Sequence, residues 1–134
     1  MNVIADTSIL IRMAVKDDQK QTAAAVKLFM EAKTFTIPTS VMCEYVWVLS
    51  QAYKQNLRKI AESIRNLIRI ESVLVKDEEI EAGLMMLERG GDFADGVHAF
   101  TGQSIAPKAA VFASFDKQAV RLLAGRGWPA LVPD

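Results

Sequence analysis

The stretch Asn2-Val3-Ile4-Ala5-Asp6-Thr7-Ser8 decides how the rest of the chain is read. A short apolar run that stops at an acid and two hydroxyl residues reads as a buried strand ending at Asp6. Beyond it, residues 21–33 read as a helix, with Ala24, Leu28 and Ala32 four apart. Residues 35–37 form a brief strand stopped by Pro38, and residues 40–53 are apolar enough, and long enough, for a buried helix. The clearest period lies in residues 56–70, where Leu57, Ile60, Ala61, Ile64, Leu67 and Ile68 make one apolar stripe. Residues 72–75 read as a strand, and Asp77 opens a helix carrying Ile80, Leu84 and Leu87 on one face. Gly90-Gly91 breaks that helix before another over residues 93–104. A strand at 110–114, a helix at 117–124 and a strand at 130–132 complete the pattern. Strands alternating with helices predict an α/β fold with a parallel sheet covered on both faces. In such sheets ligands sit beyond the carboxyl ends of the strands, so a polar group just after a strand is a candidate for chemistry.

With 134 residues the chain suits a single domain over residues 1–134. Sixteen basic residues balance sixteen acidic ones, which counts against a tight nonspecific nucleic-acid binder but not against an enzyme that meets phosphate through a metal. Cys43 is the lone cysteine, so no disulfide framework or Cys-rich zinc site forms within one chain. That usage fits a reducing cytoplasm. The first residues read as a strand rather than a signal peptide, and no apolar run approaches the roughly 20 residues that cross a bilayer. A soluble, cytoplasmic protein without a membrane partner is expected.

Four carboxylates stand out. Asp6 follows the first strand, and Asp116 follows the strand that ends near Ser114. If those strands are parallel neighbours, both acids emerge on one edge. Each also reads as the N-cap of the helix after it, a role worth ~1 kcal/mol; at Asp116 the two readings stand level. Glu44 lies in Val41-Met42-Cys43-Glu44-Tyr45-Val46-Trp47-Val48-Leu49, with no other charge in the run. It misses the three-residue spacing of a capping box from Ser40. A carboxylate buried there needs a cation or donors, which leaves an ion pair or, better, a metal. In Asp92-Phe93-Ala94-Asp95-Gly96-Val97-His98, Asp92 reads as the cap and Asp95 as the site residue.

Clustered carboxylates select hard ions such as Mg²⁺ or Mn²⁺. A metal-bound water becomes nucleophilic while the ion neutralises a scissile phosphate, and that reaction requires no histidine or cysteine.

These motifs, in this order, resemble the PIN-domain nucleases, specifically the VapC-like toxins of bacterial and archaeal toxin–antitoxin pairs. Ala5-Asp6-Thr7-Ser8, Glu44 on an apolar helix, Asp92-Phe93-Ala94-Asp95 and Ser114-Phe115-Asp116 carry the resemblance, which covers essentially the whole chain. It implies a three-layer α/β/α sandwich around a central, mainly parallel sheet, and endoribonuclease activity dependent on Mg²⁺ or Mn²⁺. It also implies a homodimer, inhibition by a small cognate antitoxin, and a toxin–antitoxin hetero-oligomer. On the family pattern Asp6, Glu44, Asp95 and Asp116 hold the metal, while the Ser8 hydroxyl orients Asp6 or a metal-bound water. Gly96 departs from the pattern, since such toxins more often carry alanine after the aspartate.

Among the remaining residues, Arg12, Lys16, Arg58 and Lys59 are candidates for RNA contact, with Lys54, Arg65 and Arg69 nearby; a solvated helix face accounts for the later cluster equally well. His98 is one turn from Asp95 and reads as a partly buried structural histidine before a partner of that acid. Tyr45, Trp47 and Tyr53 read as core or dimer contacts, Cys43 as a small buried residue. Asp77, Glu78, Glu79 and Glu81 mark a favourable helix start. Two rival functions remain: a nuclease of RNA maturation or decay without an antitoxin, and a non-enzymatic α/β regulatory module. A phospho-receiver needs paired acids after its first strand, and a haloacid-dehalogenase-like phosphatase needs an aspartate where Ser8 stands.

Overall fold

A computed structural model describes all 134 residues. They divide into two compact units, residues 1–76 and residues 77–134.

In the first unit β1 (Asn2–Ile4) leads through α1 (Thr7–Ala14) and α2 (Gln19–Glu31) to β2 (Thr34–Thr36). Then α3 (Thr39–Gln51) and α4 (Leu57–Ile68) precede β3 (Val73–Leu74). The three strands pair in the order β1-β2-β3, all parallel, with Val3 opposite Phe35 and Phe35 opposite Val73. Ala5 N–H donates to the Thr36 carbonyl at 2.9 Å, carrying the ladder one residue past β1. Phe35 of the central strand and Ile37 just after it are fully buried, and Phe29 of α2 meets the Phe35 ring edge-on at 4.9 Å. A parallel pair sets both carboxyl ends on one edge, so Asp6 and the start of α3 leave the sheet together.

The α3 helix buries Met42, Tyr45, Val46 and Leu49, spaced as one face of an α-helix. On α4 the buried stripe is Ile60, Ala61 and Ile64, the period read from the sequence. Asn56 caps α4 by accepting from the amides of Arg58 and Lys59. Between the two helices Lys54 takes a left-handed conformation, φ 53°. Around it Gln55 N–H returns to the Leu49 carbonyl and Tyr53 N–H to Val48, closing α3 as a left-handed cap does.

The second unit contains α5 (Asp77–Leu87), α6 (Phe93–Ile105), β4 (Phe112–Ala113), α7 (Lys117–Gly125) and β5 (Ala130–Leu131). Strands β4 and β5 pair in parallel, Phe112 opposite Ala130. The core of Met86, Ala99, Ala119 and Leu123 is covered by Met85, Phe112, Leu122, Trp128 and Ala130. Two glycines let α5 and α6 cross closely. A Cβ on Gly83 would stand 2.4 Å from the Phe93 ring, and one on Gly96 only 2.1 Å from the Ala82 carbonyl oxygen. Gly96 is therefore fixed by packing. At the end of α5, Gly90 supplies the positive φ of 82° that turns the chain, while Gly91 N–H bonds the Met86 carbonyl.

The alternation of helices with parallel strands expected from the sequence is present. Hydrogen bonding divides the strands into a three-stranded and a two-stranded sheet, so β4 has β5 as its partner rather than β1. The acidic first turn of α5 holds Asp77, Glu78 and Glu79, as read. The helix absent from the periodic reading is α1, whose eight residues buried at Thr7, Leu10 and Ile11 are too few to display a repeat.

Candidate active site

At the end of β1, Asp6 occupies the N-cap position of α1 but makes no capping hydrogen bond. Every comparable residue does cap: Asp18 on α2, Asn56 on α4, Asp92 on α6 and Asp116 on α7. The Asp6 carboxylate instead accepts from the Ser8 hydroxyl, Oγ to Oδ2 3.2 Å. Thr7, between them, is the buried polar residue of the chain, and its hydroxyl cannot be left unpaired at such a position without cost. It donates from Oγ1 to Glu44 Oε1 at 2.5 Å, tying the first residue of α1 to the middle of α3.

Glu44 corrects the sequence reading. It is exposed, because the buried face of α3 runs through residues 42, 45, 46 and 49. The helix looked apolar all round, yet its outer face presents Glu44 and, one turn on, an exposed Trp47. Trp47 is thus not a core residue, whereas Tyr45 is: burial pushes its phenol up, opposed by the Ser63 hydroxyl 3.3 Å away. Cys43 is only partly buried.

The other three acids singled out in the sequence, Asp92, Asp95 and Asp116, lie in the second unit. Asp92 Oδ1 accepts from Ala94 N–H at 3.0 Å and so caps α6, as its place before Phe93 implies. Asp116 also caps: Oδ1 accepts from the amides of Gln118 and Ala119 at 3.0 and 3.1 Å. Its own amide donates to Ser114 Oγ at 3.0 Å. Capping occupies one oxygen of Asp116 and leaves Oδ2 without a hydrogen bond, so the two readings of this residue are compatible. Asp95, in the first turn of α6, is half-buried and accepts no hydrogen bond. Burial raises its pKa, and the charges of Asp92 and Asp116 raise it further, against a lowering by His98. His98 is exposed rather than partly buried, so it acts on Asp95 through charge at the helix surface.

Among the candidate cations, Arg12 is already engaged, by Nε to Gln21 at 2.7 Å and Nη1 to Asp17 at 2.6 Å. The Tyr53 hydroxyl, itself 3.4 Å from Asp17, and the nearby aspartates hold its guanidinium above the ordinary value. Lys16, Arg58 and Lys59 are exposed and without ion pairs.

Within neither unit do three or more acidic, histidine or cysteine side chains converge into a metal-holding group. The structure brings Asp6 to Ser8 and Glu44 to Thr7, and it sets Asp95 in the field of Asp92 and Asp116. These donors suit a hard cation. Carboxylate oxygens are what Mg²⁺ and Mn²⁺ take, and a half-buried acid repelled by its neighbours is relieved by one. Thr7 carries no signal of its own within the Ala5–Ser8 motif; its burial comes from how α1 meets α3.

The PIN domain family model matches residues 3–123 of the chain. No curated protein and no solved structure gives a match.

Proposed function

The chain belongs to the PIN domain family, whose members are generally nucleases using divalent metal ions, and from that premise we propose that it is an Mg²⁺- or Mn²⁺-dependent endoribonuclease. In this reading it is the toxin of a type II toxin–antitoxin pair, a single PIN-like domain acting in the cytoplasm as a homodimer and held inactive by a small antitoxin. That one match runs across both units supports treating residues 1–134 as one domain. No helix is long and apolar enough to cross a membrane.

The observation that carries the reading is Asp95: a half-buried carboxylate with no hydrogen bond, destabilised as an anion by burial and by two neighbouring acids. Such an arrangement is unfavourable unless a cation joins it, and strained titratable groups of this kind mark functional sites. We assign Asp6, Glu44, Asp95 and Asp116 as ligands. A divalent ion held by them would supply activation of water and charge neutralisation at the scissile phosphate. The chain's own residues do the positioning. Ser8 sets the rotamer of Asp6, Thr7 that of Glu44, and the start of α7 fixes the plane of Asp116. Lys16, Arg58 and Lys59 offer exposed charge to the RNA backbone, with Arg12 available only after leaving Asp17.

The test is RNA cleavage by the purified chain in Mn²⁺, with Asp6→Asn and Asp95→Asn alongside. Cleavage by wild type and its loss in both variants is expected, together with a rise in wild-type Tm on adding millimolar Mn²⁺. Full metal-dependent activity in both variants sinks the ligand assignment. Growth arrest on expression, relieved by a small protein encoded beside the gene, separates the toxin from a maturation or decay nuclease. The absence of both removes the toxin reading.

A further inference from the structure

Within the second unit a cleft of about 770 Å³ opens between α5, α6 and the end of α7, a size at which clefts take ligands. Its floor is apolar. Met85, Phe100 and Trp128 line it, each half-buried, and Met85 and Trp128 also pack on the unit's core. Its rim is charged: Asp77 and Glu78 come from the first turn of α5, and Arg126 follows α7. These three are exposed, and no hydrogen bond or ion pair engages their side chains. None of the lining residues is an assigned metal ligand.

The wall at α7 is set before anything arrives. Gly127 takes a φ of 82°, its N–H donates to the Ala124 carbonyl at 3.0 Å, and Trp128 N–H donates to that of Leu123 at 3.0 Å. This pair of bonds is a Schellman motif, which brings the residue after the glycine against the last turn of the helix. Trp128 accordingly rests on the cluster that contains Leu123, and the indole is held in the cleft. Three features there favour a cation on an apolar stem: two carboxylates without partners, the aromatic faces of Phe100 and Trp128, and the negative end of α7. The same features repel a phosphate backbone. Arg126 adds a second demand, because a guanidinium only donates hydrogen bonds. A free polyamine has no acceptor to offer it, whereas a polypeptide brings carbonyl oxygens together with the long stems of lysine and arginine.

We propose that this cleft docks a short basic, amphipathic segment of a partner polypeptide. Its cationic heads meet Asp77 and Glu78, its apolar side chains lie on Phe100 and Trp128, and its main-chain carbonyls accept from Arg126. The inference stands apart from the nuclease reading and survives or fails without it.

The experiment titrates the full chain with a labelled short peptide of alternating lysine and leucine, its glutamate–leucine counterpart, and spermine. Anisotropy reports peptide binding. In a Trp47→Phe background Trp128 is the sole tryptophan, so its emission reports all three probes at the cleft itself. The lysine–leucine peptide is expected to bind and shift that emission, and the glutamate–leucine peptide to do neither. Asp77→Asn combined with Glu78→Gln should weaken the lysine–leucine peptide by about 2- to 30-fold, the range for two exposed ion pairs. Trp128→Leu, which keeps an apolar cover on the core, should weaken it by about 2- to 5-fold through loss of the ring face. Arg126→Gln should weaken the peptide and leave spermine unchanged. A retained cooperative thermal transition shows that each variant is folded. Equal binding of the two peptides, or a lysine–leucine affinity untouched in the Asp77 and Glu78 double variant, overturns the proposal. Spermine bound as tightly as the peptide, with Arg126→Gln changing neither, reassigns the cleft to a free polyamine and also overturns it.

Discussion

Replacing Gly96 by alanine should destabilise the protein, although alanine is the better helix former. The new Cβ stands 2.1 Å from the Ala82 carbonyl oxygen and 2.8 Å from Met86 Cγ. Carbon ordinarily approaches a carbonyl oxygen to ~3.3 Å, so α5 and α6 must part by about 1 Å. The obstruction at Ala82 is backbone and cannot rotate away. A gap of that size forfeits about a quarter to a half of each dispersion contact along the crossing, and forced overpacking costs ~1–3 kcal/mol. Helix propensity returns at most ~1 kcal/mol, leaving a net loss of about 1–2 kcal/mol and a Tm lower by roughly 3–10 °C for a chain of this size. Urea and thermal unfolding measure this, with the denaturant slope unchanged. Gly102 provides the control within the same helix: it is exposed and a Cβ there meets nothing within 4 Å. Gly102→Ala should stabilise by up to ~1 kcal/mol. If Gly96→Ala matches Gly102→Ala in sign, the close crossing is not what fixes Gly96. The displacement should also reach function, because Asp95 precedes Gly96 on the same turn, and the Mn²⁺-induced rise in Tm should shrink.

The carboxylate of Asp95 should make its own mark on stability. Its folded pKa is raised, first by burial and then by Asp92 and Asp116, so the native chain holds that proton more tightly than the unfolded chain. Metal-free wild type therefore loses stability as pH rises from the ordinary aspartate range through the raised value, and does not regain it at neutral pH. Asp95→Asn should melt higher than wild type at neutral pH, with the gap closing in acid; a lower-melting variant at neutral pH contradicts the repulsion. Thr7→Val keeps the shape of a buried residue but removes the donor to Glu44, and should lower RNA cleavage ~10–100-fold with about 1 kcal/mol lost in stability. Thr7→Ser should recover most activity, and full activity in the valine variant would exclude a positioning role. Lys54→Gly, at φ 53°, should stabilise by ~0.5–1 kcal/mol in urea unfolding; a loss there would mean the lysine side chain anchors the turn.

The elements built from repeated contacts were legible in the sequence. The stripe on α4 is buried where Ile60, Ala61 and Ile64 predicted, and Asp92 caps α6 from its position alone. On α3 the apolar residues ran all round, so periodicity could not choose a face, and only packing shows that residues 42, 45, 46 and 49 point inward. Glu44 stands out in the sequence for an incomplete reason: it reads as a buried charge, yet it is an exposed one held by a buried threonine. Strand partners were beyond reach for a similar cause: with β4 and β5 only two residues each, their pairing depends on α7 and its loops, not on a pattern within the strands. Gly96 looked like a departure from a family habit and proves to be a clearance.

In the proposed site Asp116 would serve both as a helix cap and as a ligand. Its Oδ1 belongs to the first turn of α7, and that bond is made with nothing else bound. The free Oδ2 is consequently aimed in advance, with its rotamer entropy already spent when the helix formed. On the proposed assignment an ion at that oxygen would come and go without a folding transition, so withdrawing it should abolish cleavage quickly while the melting curve keeps its single cooperative step.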